Sequence, residues 1–298
     1  MTYEELLTET ALKDERFVVM TAENRALVRN MPKTLGSRFI DTGITEQTMV
    51  GMAAGLALRG RIPVIHALAP FLTMRAFEFI RTDVGIAHLP VKLSGYIPGF
   101  LSDGNGPTHQ AIEDVSILRG IPGMEVYCPA DEDDLVKMLP DIWSSPAPAY
   151  VRINHKKGGY QHAPYQPGKA EVIAEGSDVT LLVYGFLFEN ALETKALLEK
   201  KGLSVGLVNM RSLKPVDEKI IIKAAANSRK LVTIEDHFKT GGLYSIVAEV
   251  LLQKRMTAEV VPLSLGERWF KPGLLNDVLE TEGFTPEKMA HKIMTYAQ

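Results

Sequence analysis

The sequence holds one cysteine, Cys128, in 298 residues, so neither an internal disulfide framework nor a cysteine-built metal cluster is open to it. It also lacks an excess of charge of one sign. The net charge is -3 and the basic residues are scattered, which leaves no electrostatic footprint for nucleic acid or an anionic membrane surface. Long apolar runs are missing as well: the most apolar stretch, 49–72, is broken by Arg59, Arg61 and Pro63, whereas a membrane helix needs ~20 nearly uninterrupted apolar residues. The first residues, Met1-Thr2-Tyr3-Glu4-Glu5, are polar rather than signal-like. These exclusions point to a cytoplasmic protein whose partners are small molecules and other subunits.

What is present is alternation. Short apolar runs at 17–20, 63–68, 90–93, 124–127 and 149–153 read as strands, with helical patterns near 46–58, 72–82 and 131–143 between them. The acids of Asp131-Glu132-Asp133-Asp134 suit the start of the last helix. From 154 to 178 the composition turns to Lys, Gly, His, Pro and Gln, which is linker chemistry. A second series of strands follows at 179–184, 205–209, 230–234 and 258–261. Strands alternating with helices imply crossover connections and parallel sheets. The expected fold is therefore α/β with two parallel-sheet domains, residues 1–160 and 176–298, joined by a linker at 161–175.

Three stretches carry candidate chemistry. Asp41-Thr42-Gly43-Ile44-Thr45-Glu46 places a carboxylate at the head of a helix whose Gly51, Ala53, Ala54, Gly55 and Ala57 permit close packing or a subunit contact. On its own, Glu46 could simply satisfy the helix dipole. Phe71, Met74 and Phe77 fall at i, i+3 and i+6 and so lean to one side of a helical turn, as core residues also do. Ser102-Asp103-Gly104-Asn105-Gly106-Pro107-Thr108-His109-Gln110 is a tight loop after a strand, a position where parallel sheets carry site residues, although a lone loop histidine is also a common surface residue. Arg152 ends the strand 149–153 with no acid in that strand to neutralise it; it is either a solvated residue or an anion contact, with Arg75 a second cation to consider.

In this order and at these spacings the motifs resemble the pyrimidine-binding half of transketolase, and nearly all of the chain resembles that enzyme's second and third domains. The resemblance implies thiamine diphosphate as cofactor and a reaction that moves a two-carbon ketol unit from a ketose, expected to be phosphorylated, to an aldose. It implies that Glu46 contacts N1′ of the aminopyrimidine and so promotes loss of the C2 proton. It places Phe71, Met74 and Phe77 in the slot that grips that ring, and Glu23, in Thr21-Ala22-Glu23, at the first-strand turn near the cofactor. His109 would orient the substrate and move protons, Asn105 would line the substrate loop, and Arg152 would hold the substrate's phosphate.

This chain departs from the family at Met74, where an aromatic residue is usual. It departs again at Asn105, where aspartate is common, and at Ile97, where a histidine is common. The acid and double-glycine run of Glu235 to Gly242 resembles a structural turn of the family's last domain.

The chain has no Gly-Asp-Gly run, the signature with which the family holds diphosphate through Mg2+. Hence no metal ligand is expected here. A diphosphate-binding amino-terminal subunit would have to supply that half, in a heterotetramer. Rival readings are a deoxyxylulose phosphate synthase-like enzyme, the beta subunit of a 2-oxoacid dehydrogenase, and a non-catalytic structural subunit. The Gly-Pro-Thr-His-Gln run resembles the first more than the second.

Overall fold

The computed structural model describes residues 1–297. Its first half contains β1 (Phe17–Thr21), β2 (Phe39–Asp41), β3 (Ile62–Leu68), β4 (Lys92–Tyr96), β5 (Glu125–Tyr127) and β6 (Ala149–Ile153). The second half contains β7 (Glu171–Ala174), β8 (Val179–Val183), β9 (Val205–Asn209), β10 (Ser212–Lys214), β11 (Lys230–Phe238) and β12 (Glu259–Leu265). These form a seven-stranded sheet, ordered β10-β5-β6-β4-β3-β1-β2, and a five-stranded sheet, ordered β12-β11-β8-β9-β7. Strands such as β1, β6, β8 and β9 are buried along their whole length, as parallel strands covered on both faces must be. No described helix is long and apolar enough to cross a membrane.

Three short strands depart from expectation. The linker at 161–175 is not free of structure, because β7 forms within it and pairs antiparallel with β9. β10 leaves the second half of the chain and pairs antiparallel with β5, so it completes the first sheet. The sheets are thus parallel except for one antiparallel edge strand each. The third is β2, three residues beside β1.

The two sheets are also locked together by charge. Arg152 is only 2% exposed; its Nε lies 2.8 Å from Asp114 Oδ2 and its Nη1 2.6 Å from Asp236 Oδ1. Nη2 donates to the Ala111 carbonyl at 3.0 Å, and Tyr150 Oη donates to Asp114 at 2.6 Å. Asp236 comes from β11 in the second sheet, whereas Arg152 and Asp114 belong to the first domain. Gly99 completes the fit: at φ +60° its missing Cβ would stand 1.6 Å from Asp236 Oδ2.

The expectation that Arg152 holds a substrate anion is therefore corrected. No acid on its own strand opposes it, but two arrive from 38 and 84 residues away, and its guanidinium faces protein on every side. Replacing Arg152 with alanine should cost about 3–5 kcal/mol of stability, because two buried carboxylates lose their counter-charge. Chemical denaturation of the purified chain measures this; an unchanged midpoint would return Arg152 to a ligand-binding role.

Candidate active site

The C-terminal ends of the parallel strands open on one edge of the first sheet, and the loops there carry the candidate residues. Glu46 begins the helix Glu46–Leu58 and is buried, with 1% exposure. Its Oε2 accepts from Arg75 Nη1 at 2.8 Å. Among the described residues none donates to Oε1. The Arg75 guanidinium also lies over the Phe71 ring, 4.1 Å from its centroid, and Phe71 meets the His109 ring edge-on at 4.9 Å. Glu46, Arg75, Phe71 and His109 thus form one continuous line, in which the rings are half-buried and Arg75 reaches solvent.

Arg75 is the member that the motif reading underweighted. It follows Phe71 by four residues, a spacing that brings side chains together on a helix, so its stack on that ring could have been anticipated.

The remaining candidates are distributed differently. Segment 71–85 is helical but includes π-helical turns at Phe71–Arg75 and Ile80–Gly85, whose i→i+5 bonding widens the coil. The i, i+3, i+6 stripe therefore does not hold together. Phe77 packs against the main core and makes no ring contact with Phe71, while Met74 is half-buried. Asn105 is exposed and spends its amide on the Ser102 carbonyl, 2.9 Å away, which is a turn-forming role. Glu23 is exposed at φ +71°, and its N–H donates to Asp41 Oδ1 at 3.0 Å; only its backbone is engaged. In the small-residue helix, Ala53, Ala54 and Ala57 are buried, whereas Gly55 and Met52 face outward.

This chain can meet the pyrimidine end of thiamine diphosphate. Oε1 of Glu46 is free to face a ring nitrogen, and the far side of Phe71 carries no other ring or guanidinium among the described residues. An acid, an aromatic ring and a histidine thus stand together on one parallel-sheet edge, beside a second α/β domain. The chain belongs to the transketolase family: residues 1–159 match the transketolase pyrimidine binding domain and residues 168–289 the transketolase C-terminal domain. That family depends on thiamine diphosphate.

The chain is 36% identical over 255 residues to a 6-deoxy-6-sulfo-D-fructose transketolase subunit of Clostridium sp. (strain MSTE9), covering 84% of this chain and 79% of the other. It is 30% identical over 265 residues to an apulose-4-phosphate transketolase subunit of Phocaeicola vulgatus, covering 87% and 85%. Among solved structures, a split gene transketolase described as an inactive beta4 tetramer superposes with a TM-score of 0.89 at 31% identity, covering 98% of this chain and 96% of that one.

A second polar cluster, not legible in the sequence, lies between the domains. Asp134, His162 and Glu171 bring ligand-type atoms within 4.8 Å of one another. Arg211 already plays the cation there: Nη2 lies 2.8 Å from Glu171 Oε2, and Nε forms an ion pair with Asp134 Oδ1 at 2.8 Å whose angle does not make a hydrogen bond. Burial pulls His162 down, but its contacts to Asp131 at 3.2 Å and Glu171 at 2.7 Å more than offset this and hold it at about 9. Burial pushes Glu171 up, yet His162, the Ala163 N–H and Arg211 bring it down to about 2.

Both shifts mark a clasp that favours the charged pair. The His162 contribution is complete below pH 6.5 and lost as pH rises through about 9, while that of Glu171 is complete above pH 4.5 and lost as pH falls through about 2. Stability from the clasp should peak between these limits, and His162→Gln should flatten the decline above pH 6.5. Urea midpoints measured from pH 6 to 10, as rough bounds on that window, decide it; parallel profiles for both proteins would show that the clasp does not titrate.

Proposed function

We propose that this chain is the pyrimidine-side and carboxyl-terminal subunit of a two-chain transketolase, active only with a diphosphate-binding partner that holds Mg2+. Bound thiamine diphosphate supplies the carbon nucleophile that accepts a two-carbon ketol unit. Glu46, through Oε1, shares a proton with the pyrimidine ring nitrogen. Phe71 packs against the cofactor ring, and His109 orients the donor's oxygens and moves protons between them.

The observation that carries this reading is the Glu46–Arg75–Phe71–His109 line on the strand edge. Rings and cation there are partly open to solvent, so a covering chain would be needed to exclude water, as charge-building chemistry requires. A similar chain is described as an inactive beta4 tetramer, which supports dependence on a partner and, with it, a heterotetramer as the working assembly. In that assembly Glu46→Gln should slow exchange of the cofactor's C2 proton by about a hundredfold or more while leaving the fold intact, since an amide cannot share the proton. Near-normal deuterium exchange would assign Glu46 to helix-end support instead.

With Arg152 internal, the substrate's anionic tail needs another hydrogen-bond donor. Strand order offers one. Along the edge, the loops after β2, β3, β4 and β6 carry Glu46, Phe71, His109 and His155, so a substrate reaching from the cofactor past His109 ends near His155. His155 is exposed beside Tyr96, with ring centroids 5.9 Å apart, and the exposed Lys157 lies two residues further on. The two relatives act, by name, on a sulfonated and a phosphorylated sugar, so either tail is compatible with the family. His155→Ala should raise KM for ketoses with an anionic tail by about ten- to a hundredfold, the loss expected for a charged hydrogen bond, with little change for neutral ones. Steady-state kinetics on phosphate, sulfonate and uncharged ketoses test this; equal effects on all three would exclude His155 as the tail contact.

A further inference from the structure

We infer that Gln110 is a positioning residue through which the second domain sets the place of His109, an inference that rests on the role proposed above for that histidine. Gln110 is 1% exposed, and its Nε2 donates to the Phe270 carbonyl at 2.9 Å, a bond that spans 160 residues of sequence. Oε1 of this buried amide has no partner among the described residues, so the Nε2 bond is the one polar contact that fixes where the side chain points. Phe270 is itself held, since its ring meets Phe100 edge-on at 5.2 Å, and Phe100 in turn meets Phe284 at 4.9 Å and Phe186 at 6.4 Å. Phe100 and Gln110 belong to the same loop, and both enter the second domain.

Between these anchors the loop is held mainly by its own local bonds: Asn105 to the Ser102 carbonyl, and the His109 N–H to the Gly106 carbonyl at 2.9 Å. Glycine at 104 and at 106 leaves that stretch free to turn. On the far side of Gln110, the Ala111 carbonyl accepts from the Gly99 N–H at 2.9 Å and from Arg152 at 3.0 Å. Ala111 fixes where the loop ends. Gln110 fixes the direction in which it leaves His109, and thereby keeps that imidazole against the Phe71 edge.

Among the described residues, the second domain contributes no hydrogen bond or ion pair to Glu46. Loosening the clamp should therefore affect handling of the donor and spare activation of the cofactor. In the complex with its diphosphate-binding chain, Gln110→Met should lower kcat for the donor by about ten- to a hundredfold, the scale of a displaced reacting group. C2 proton exchange should stay at its wild-type value, and thermal unfolding should stay cooperative with only a modest fall in midpoint, as loss of one buried hydrogen bond entails. Phe270→Leu, on the other domain, should shift the same parameters in the same direction.

Amide hydrogen exchange on the chain itself gives a readout independent of activity: segment 99–110 should lose protection in Gln110→Met while the sheets keep theirs. Unchanged protection and turnover in a folded Gln110→Met protein would overturn the clamp. So would a parallel fall in C2 exchange and turnover, which would mark general structural damage. A wild-type complex that neither exchanges C2 nor transfers ketol units would instead refute the proposed function, and the protection of 99–110 would still decide whether the clamp exists.

Discussion

The buried guanidinium of Arg152 is the constraint around which the two domains are arranged. A charge removed from water must be paired, and here the pairing requires Asp114 from a helix of the first domain and Asp236 from the second sheet. Burial pushes the Asp236 carboxyl up to about 6 even with Arg152 beside it, and the adjoining Glu235 up to about 8. The knot thus holds more acid than base in a low-dielectric interior, and it tolerates little displacement. If either sheet moved, a charge would be left uncompensated, so the docking angle of the second domain follows from the knot.

That docking bears directly on the site. The loop carrying His109 starts beside the knot, where Gly99 leaves room for Asp236, and it ends there, where Ala111 accepts from Arg152. In between, Phe100 enters the second domain's aromatic cluster. Glu46 and Phe71, by contrast, are placed by the first sheet alone. The candidate site is therefore composite even within one chain: the acid and ring belong to the first domain's framework, and the histidine belongs to the interface between domains.

Local signals and long-range ones were unequally legible in the sequence. Strands β1, β3, β6, β8 and β9 stood out because burial on both faces writes an apolar run. β2, β7 and β10 did not, being edge strands of three or four residues with mixed polarity. β11 runs on past Ile234 through Glu235, Asp236 and His237, residues that read as a turn; the strand continues because Glu235 accepts from the Leu243 and Tyr244 N–H groups and Asp236 from Arg152. Such partners are distant in sequence and leave no periodic trace. Arg152 was misread for the same reason. Glu46 and His109 were legible as motif residues, whereas the π-helical turns that separate Phe71 from Phe77 have no signature of comparable strength.

The pairing of Glu46 with Arg75 explains how one chain can keep half of a site intact. A carboxylate with 1% exposure needs a partner, and Arg75 provides it on Oε2 from a position that still reaches water. Because the guanidinium is spread over the Phe71 face, it is held by the ring as well as by the acid, which fixes both groups without recourse to another chain. Oε1 and the second face of Phe71 are left over. Those two surfaces are what a ring with a basic nitrogen requires, one for its edge and one for its plane. The chain therefore presents an ordered element that is open to solvent, which the proposed function completes with a covering chain and a metal-held diphosphate.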